Sequence, residues 1–421
     1  MVANKDDSLK LTTNKYFLRG LVLDDAEEIL FLRSDERILE HIDIEKAETL
    51  EDAKEFIEKI NRGDDGWLFW GITEKNNSKV IGTICLWNIE AAESKADIGF
   101  VLHPDYWGKG VTQEVIPAVI NFGLQKVKLK YIIGEAMPKN LKSIKLMEKF
   151  GFRYKKESGD YSVYSLTALD WLKKQFEKKK HPVILSELNI PSSLQVALLA
   201  PHPDDFDAIG ITMRALHENG NTINLAVLTT GVSGVEDVYA AKRGSGDKAA
   251  IREEEQKASI QFFGLPQEQI TFLRLENDET KHMAVTENNF ARTKEFWDGH
   301  TPDIVFLPHG NDTNTDHQRT YAMFKKILEA ESKPVIAFLN KDPKTIGIRN
   351  DVITTFDETE AAWKGELLRF HKSQHERNLR TRNHGFDERI LSVNRKDAEE
   401  LCLQDKYVEI FELEFHPAKI K

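Results

Sequence analysis

Val196-Ala197-Leu198-Leu199-Ala200-Pro201-His202-Pro203-Asp204-Asp205 is an apolar run that ends in a histidine, two prolines and two aspartates. Such a run has the length and composition of a strand buried on both faces. Strand-like segments recur at Ile223–Leu228, Ile270–Leu275, Ile304–Leu307 and Val335–Leu339. Helical periodicity lies between them, over Asp207–His217, Ala249–Phe263, Glu287–Trp297 and the residues after Asp316. Regular alternation of this kind predicts a Rossmann-like parallel sheet covered by helices on both faces. Ligands in such sheets sit beyond the C-terminal ends of the strands. His202–Asp205 and Asp312–His317 both fall there.

The residue types at that edge suit a metal. His202 and Asp205 are three apart on a tight turn that opens a helix, so both can face one ion. His317 would add a third ligand and leave a position open, as catalytic rather than structural zinc sites do. Asp204, next to the ligands, could take a proton from a water activated by the ion. An Asp-Asp pair after a strand also serves as a plain helix cap. The histidine two residues before it and the distant Asp316-His317 pair weigh for the metal.

The first half reads as a mixed α/β sheet domain. Strands are expected at Lys15–Arg19, Gly66–Thr73, Val80–Trp87, Ala96–Leu102 and Tyr131–Ala136, with a hairpin through Tyr164. Helices are expected over Asp24–Leu32, Leu50–Ile60, the residues after Gly110, and Asn140–Phe150. Tyr106-Trp107-Gly108-Lys109-Gly110 lies between a strand and a helix. Two glycines there let backbone N–H groups approach a phosphate, though a plain turn uses the same residues. Pro117 falls inside the following helix and costs about 3 kcal/mol unless the helix kinks or restarts. Trp67, Trp70 and Trp87 lie in strand patterns and are expected in the core.

The 421 residues carry a formal charge of −11, with 40% hydrophobic and 30% charged residues. This acidic balance argues against nucleic acid or an anionic membrane as partner. Cys85 and Cys402 are far apart and form neither a disulfide framework nor a thiolate metal motif. The stretch Met1–Lys10 is polar, and no run of about 18 apolar residues occurs, so a cytoplasmic protein is expected. His181–Ser193, with two prolines, marks a boundary. The expected division is 1–176, a linker at 177–193, and 194–421.

The second half, from Val196 to Phe411, resembles the LmbE/PIG-L-like zinc-dependent N-deacetylases. The resemblance rests on His202-Pro203-Asp204-Asp205, Thr229-Thr230-Gly231, Arg252 with Glu255, Asp316-His317, and His371-Lys372-Ser373-Gln374. It implies His202, Asp205 and His317 as metal ligands and Asp204 as general base, with Asp316 and Asn314 in the catalytic set. The chain departs from the family at Phe206, where Glu is common, and at Asn314, where many members carry His. An amide can hydrogen-bond an oxyanion but cannot deliver a proton. His309, or Asp204 after protonation, is the alternative donor.

Residues 12–172 resemble the GNAT N-acetyltransferases, most closely their RimJ/RimL-like branch. The resemblance rests on the Gly-rich turn, the Asp97-Ile98-Gly99-Phe100 strand, the Asn140–Ser143 spacing and Phe150-Gly151-Phe152. It implies acetyl-CoA as cofactor, cradled by Trp107, Gly108, Lys109, Gly110, Val111 and Thr112. Asn140 lines the cofactor, and Ser143 is the candidate proton donor to the leaving thiolate. Asp97 is a candidate base.

The two halves imply opposite chemistry on one kind of bond. The leading expectation is a bifunctional enzyme that remodels the N-acyl group of an amino-sugar-like metabolite. A peptide N-acetyltransferase with a regulatory deacetylase-like domain is one alternative. A ligand sensor with one silent domain is the other. The oligomeric state is left open, a homo-oligomer included.

Overall fold

The computed structural model describes residues 9–63, 66–244 and 247–418. Most of the polar stretch Met1–Lys10 therefore lies outside the described residues. The chain forms two compact units. One runs to Glu177 and takes in Asn189–Ser192; the other holds Lys178–Leu188 and the residues from Ser193 on.

The first unit is built on a sheet of β1 (Leu11–Thr12), β2 (Tyr16–Arg19), β3 (Leu68–Glu74), β4 (Asn77–Glu90), β5 (Lys95–Leu102), β6 (Tyr131–Ala136), β7 (Arg153–Ser158) and β8 (Tyr161–Thr167). Their order is β1-β2-β3-β4-β5-β6-β8-β7. Neighbours run antiparallel except β5 and β6. Those two pair only from Lys95↔Tyr131 to Asp97↔Ile133, although β5 continues to Leu102 and β6 to Ala136. The sheet therefore splits at Asp97.

The helix Val111–Gln125 follows β5 and runs unbroken through Pro117. Val115, Ile116, Val119, Ile120 and Leu124 on it are buried. At about 1.5–3 kcal/mol for each buried aliphatic side chain, that packing outweighs the proline penalty of about 3 kcal/mol. Trp70 is core as expected, whereas Trp87 is 37% exposed and makes an edge contact with Trp67.

The second unit's sheet contains β9 (Val183–Ile184), β10 (Gln195–Ala200), β11 (Thr222–Val227), β12 (Ile270–Phe272), β13 (Ile304–Pro308), β14 (Val335–Asn340), β15 (Val352–Phe356) and β16 (Tyr407–His416). The order is β12-β11-β10-β13-β14-β16-β15-β9. Strands β10 to β14 are mutually parallel, as the alternation predicts. The sheet as a whole is mixed, because β16 inserts antiparallel between β14 and β15. The expected linker at 177–193 is not free chain: Val183 and Ile184 pair with Val352 and Ile353. Val183, Leu185 and Leu188 are buried there, which ties the segment down.

The helix expected over Asp207–His217 arrives as two, Asp205–Ala208 and Gly210–Glu218. Glu409 of β16 accepts hydrogen bonds from the backbone N–H of Ile211 (3.2 Å) and Thr212 (2.9 Å). A carboxylate at that point starts a new helix by satisfying its first N–H groups. The fully buried Lys364 donates to Glu409 at 2.7 Å and to Asn394 at 2.9 Å, so the buried charge is paired.

Candidate functional sites

In the second unit, the metal pocket forms where β10 gives way to the His202–Asp205 turn. Asp205 Oδ2 accepts from the His202 backbone N–H at 2.7 Å, which folds the turn back on itself. Asp204 takes φ 122°, a conformation rare for a side-chain-bearing residue. His202 Nδ1 lies 3.5 Å from Asp205 Oδ2, and His317 Nε2 lies 3.8 Å from Asp205 Oδ1. One ligand atom from each of the three residues lies within 4.8 Å of the others.

Each histidine has a carboxylate behind it. His202 Nε2 is 2.9 Å from Asp316 Oδ2, and His317 Nδ1 is 3.3 Å from Asp312 Oδ2. Imidazoles held this way keep their other nitrogen for a cation. That leaves His202 Nδ1 and His317 Nε2 facing Asp205. Two imidazole nitrogens and one carboxylate, with room for a further ligand, fit zinc or a similar divalent ion.

The electrostatics agree. Burial opposes a charge on His202, but the hydrogen bonds to Asp205 and Asp316 outweigh it and push its pKa up to about 10. Burial likewise opposes charge on His317, and Asp312 and Asp205 reverse the direction. Burial would raise Asp316, yet its bond to His202 holds it well below the usual carboxylate range. Burial, together with nearby Asp205 and Asp312, raises Asp342, which also lies beside His317. The carboxylates around the two imidazoles favour positive charge at this point.

The other expected residues are placed as follows. Asp204 Oδ2 accepts from Arg252 Nη2 at 2.9 Å, and Arg252 also donates to the Pro203 carbonyl. The Asp204 backbone N–H donates to Gln256 Oε1 at 3.0 Å. Asp316, expected to be catalytic, sits behind His202 as its support. Asn314 is the N-cap of the helix Thr315–Ala330: its Oδ1 accepts from the Asp316 N–H at 3.1 Å. That commits the oxygen to the helix. His309, the alternative donor, is also committed, with Nε2 3.3 Å from Glu412 and Nδ1 accepting from the Asn311 N–H at 2.9 Å.

The remaining motifs brace this turn. Glu255 accepts from the Ser373 N–H and hydroxyl, both at 2.7 Å. His371 Nε2 meets Asp207 Oδ2 at 2.7 Å, both fully buried. Thr229 donates to the Pro201 carbonyl at 2.8 Å. The Gly231–Asp247 segment holds a short helix, Asp237–Lys242; residues 245–246 lie outside the described residues. Gln374 donates to the Gly234 carbonyl at 3.0 Å and so fastens its start. Sequence reasoning missed Asp312 as a support of His317. The signal was present as Asp312 and Asp316, one turn apart, ahead of and within a helix start. It also missed His282, whose Nδ1 lies 3.2 Å from Asp316 Oδ2 and whose loop carries no motif.

In the first unit, Gly108 and Gly110 adopt φ 72° and 82° and lead into the helix Val111–Gln125. No side chain caps that helix, and a Cβ on either glycine would meet open space. Glu114, the acid of the first turn, is drawn away to Thr13 Oγ1 (2.7 Å) and the Lys15 N–H (2.6 Å). The uncapped N–H groups of a helix start favour an anion such as a pyrophosphate. Val111 itself is buried, so it offers only its backbone. Trp107 Nε1 donates to the Leu102 carbonyl at 2.9 Å, anchoring the turn to β5. Asn140 caps the helix Leu141–Lys149 by accepting from the Ser143 N–H at 3.1 Å. Asp97, where β5 and β6 part, accepts from Asn88 Nδ2 at 3.1 Å. Burial raises its pKa, as does nearby Glu135.

No helix among the described residues is long and apolar enough to cross a membrane. The split sheet with its uncapped helix start and the His202, Asp205 and His317 cluster are the two places where the chain gathers groups suited to chemistry. The acetyltransferase (GNAT) domain model matches residues 15–153, and the GlcNAc-PI de-N-acetylase (PIG-L) model matches residues 197–328. The chain thus belongs to the GNAT acetyltransferases through its first unit and carries a PIG-L-type deacetylase domain in its second.

Relatives support the first assignment. The uncharacterized N-acetyltransferase YnaD of Bacillus subtilis is 30% identical over 145 residues, covering 34% of this chain and 83% of its own. The probable N-acetyltransferase YjcK of the same organism is 31% identical over 145 residues, covering 32% and 79%. Among solved structures, the N,N'-diacetylchitobiose deacetylase of Pyrococcus horikoshii is similar at 18% identity and TM-score 0.45, covering 58% of this chain and 88% of that one. A GNAT-family acetyltransferase of Bacillus anthracis is similar at 24% identity and TM-score 0.34, covering 38% and 98%.

Proposed function

We propose that the chain is a bifunctional enzyme that remodels the N-acyl group of an amino-sugar-like metabolite. The second unit would hydrolyse an N-acetyl amide with zinc, and the first would acylate an amine from acetyl-CoA. The observation that carries the reading is the pair of histidines, each backed by its own carboxylate and each turned toward Asp205, beside Asp204, whose Oδ2 is held by Arg252. A cytoplasmic location belongs to the same reading.

In this reading His202, Asp205 and His317 hold the ion, and Asp316 and Asp312 fix the two imidazoles. A divalent ion there supplies Lewis acidity and makes water nucleophilic near neutral pH. Asp204 Oδ1 takes the water's proton, while Arg252 on Oδ2 keeps the carboxylate aimed. In the first unit, the N–H groups from Gly108 to Thr112 hold the pyrophosphate. The backbone of β5 beyond Asp97, unpaired on its β6 side, faces the acyl arm. Acyl transfer to an amine depends mainly on positioning, and Asp97 is placed to take the ammonium proton. Ser143 stands near a helix start as donor to the departing thiolate.

The test is direct. Purified protein should contain about one zinc per chain and release acetate from N-acetylated amino sugars. His202→Ala and Asp204→Asn should abolish that release. Acetyl-CoA should raise the melting temperature and be turned over with amine acceptors. Absence of metal in the wild-type protein would overturn the hydrolase half, and absence of any acetyl-CoA shift the transferase half.

A further inference from the structure

At the turn after β10 the chain keeps a side chain where the backbone favours glycine. Asp204 takes φ 122° and ψ −20°, a conformation that a Cβ makes unfavourable. Such strain persists only where the surroundings over-determine it. The deacetylase reading needs a carboxylate at this position, so the strain has to be held from outside.

Two residues of one helix hold it. Arg252 and Gln256 are four apart on the helix Lys248–Phe263 and so share a face. Arg252 donates to the Pro203 carbonyl and, at 2.9 Å, to Asp204 Oδ2. Gln256 Oε1 accepts from the Asp204 N–H at 3.0 Å. That carbonyl and that N–H belong to one planar peptide group, so the helix grips the plane at both ends. On the other side, the Asp204 carbonyl accepts from the Asp207 and Ala208 N–H groups, both at 3.1 Å. Relief of the strain requires rotation about the Asp204 N–Cα bond. With the peptide before it pinned and the carbonyl after it tied to the short helix, that rotation is blocked. Arg252 alone would leave the peptide free to tip about its carbonyl, and Gln256 removes that freedom.

Gln256 is itself aimed. Its Nε2 donates to Asp207 Oδ2 and to Ser259 Oγ, both at 2.9 Å. Asp207 Oδ2 in turn meets His371 Nε2 at 2.7 Å. Gln256, Asp207, Ser259 and His371 are all fully buried. Turning the amide over would set its NH2 against the Asp204 N–H and its oxygen against the Asp207 carboxylate, so the oxygen stays on Asp204. A glutamine that only filled space would need neither end directed.

We infer that Gln256 is a positioning residue of the deacetylase site: it fixes the strained backbone at Asp204 and, through it, the direction of the carboxylate that serves as base. The assignment rests on the deacetylase reading above. Gln256 acts through Asp204 alone, so its effect belongs to the chemical step rather than to metal or substrate affinity.

The experiment uses the zinc-loaded full-length chain, with N,N'-diacetylchitobiose and N-acetylglucosamine as substrates. Gln256→Met keeps the length of the side chain and loses both bonds. Gln256→Asn is a methylene shorter and cannot reach both partners at once. Gln256→Glu keeps both bonds while protonated, a form that burial beside the Asp207 carboxylate favours at about pH 6. Met and Asn should each lower kcat about 10- to 100-fold, the cost of misplacing a catalytic group by about 1 Å. KM and zinc content should stay near wild type, and Glu should retain most of the activity at that pH. Wild-type kcat in the Met and Asn variants would overturn the assignment. Loss of zinc, or an equal fall in all three, would make Gln256 a structural residue. Amide exchange gives a readout free of turnover. By NMR of aspartate-labelled protein, the Asp204 N–H should be protected in wild type and in Gln256→Glu, and exchange faster in the other two. An unprotected Asp204 N–H in the wild type would refute the geometry. A wild-type chain that binds zinc and protects this N–H, yet hydrolyses neither substrate, would overturn the deacetylase reading and this assignment with it; the variant results on an active wild type bear on the assignment alone.

Discussion

Arg252 Nη2 donates to Asp204 Oδ2 at 2.9 Å from a side chain only 2% exposed, so the proposed base is held by a buried guanidinium. The same Arg252 lies 3.7 Å from Glu255, which is itself bound by Ser373. Asp204, Arg252, Glu255 and Ser373 thus form one chain of contacts that joins sequence motifs over a hundred residues apart.

Removing that guanidinium strands Asp204 and Glu255 together. Arg252→Met should destabilise the second unit by about 3–5 kcal/mol, the range for breaking a buried pair. Urea unfolding followed by a tryptophan signal checks it. Arg252→Lys should recover little, because a lysine cannot reach two acceptors in a fork.

Asp316 and Asp312 should matter for metal without touching it. Asp316→Asn and Asp312→Asn should each weaken zinc about 10- to 100-fold. Competition with a chromophoric chelator measures this. Unchanged affinity in both would remove the carboxylate supports from the account.

Gly110 takes φ 82° at an uncapped helix start with open space before it. Gly110→Ala should cost about 1 kcal/mol from the left-handed conformation. Its methyl would also stand in the space proposed for the pyrophosphate, so the acetyl-CoA thermal shift should shrink in the variant by more than stability explains.

Glu414 gives the second unit an acid-sensitive contact. Its bond to His416 acts first to lower it, burial opposes, and Tyr321 and Lys325 add to the lowering, to about 2. A folded-state pKa below the ordinary 4.5 contributes stability that is present above 4.5 and lost as pH falls toward 2. Glu414→Gln should therefore flatten the acid limb of stability against pH, read by urea midpoints across that window.

The parallel half of the second sheet was legible because β10, β13 and β14 are mostly apolar runs and β11 and β12 continue their alternation with helices. Strand β16 was not, since Glu409, Glu412 and Glu414 punctuate Tyr407–His416 and give it a surface pattern. Those acids are covered by Lys364, by His309 with Arg349, and by Tyr321 with His416, all but His416 distant in sequence. The proposed ligand set can be read from the sequence because His202 and Asp205 share one turn. Asp312 and His282 cannot, because supporting a histidine leaves no spacing rule behind. The split between β5 and β6 was hidden for a similar reason: each strand reads normally, and only their pairing shows where it stops.

The bond from Glu409 to the Thr212 N–H joins residues 197 positions apart. A ribosome finishes the His202 turn long before it makes the strand that starts the helix behind it. Until β16 arrives, Lys364 and the Ile211 and Thr212 amides lack the carboxylate that satisfies them. The His202 turn of the nascent second unit should therefore settle late, as one of the closing events of folding rather than as a seed for it, and the proposed metal site with it.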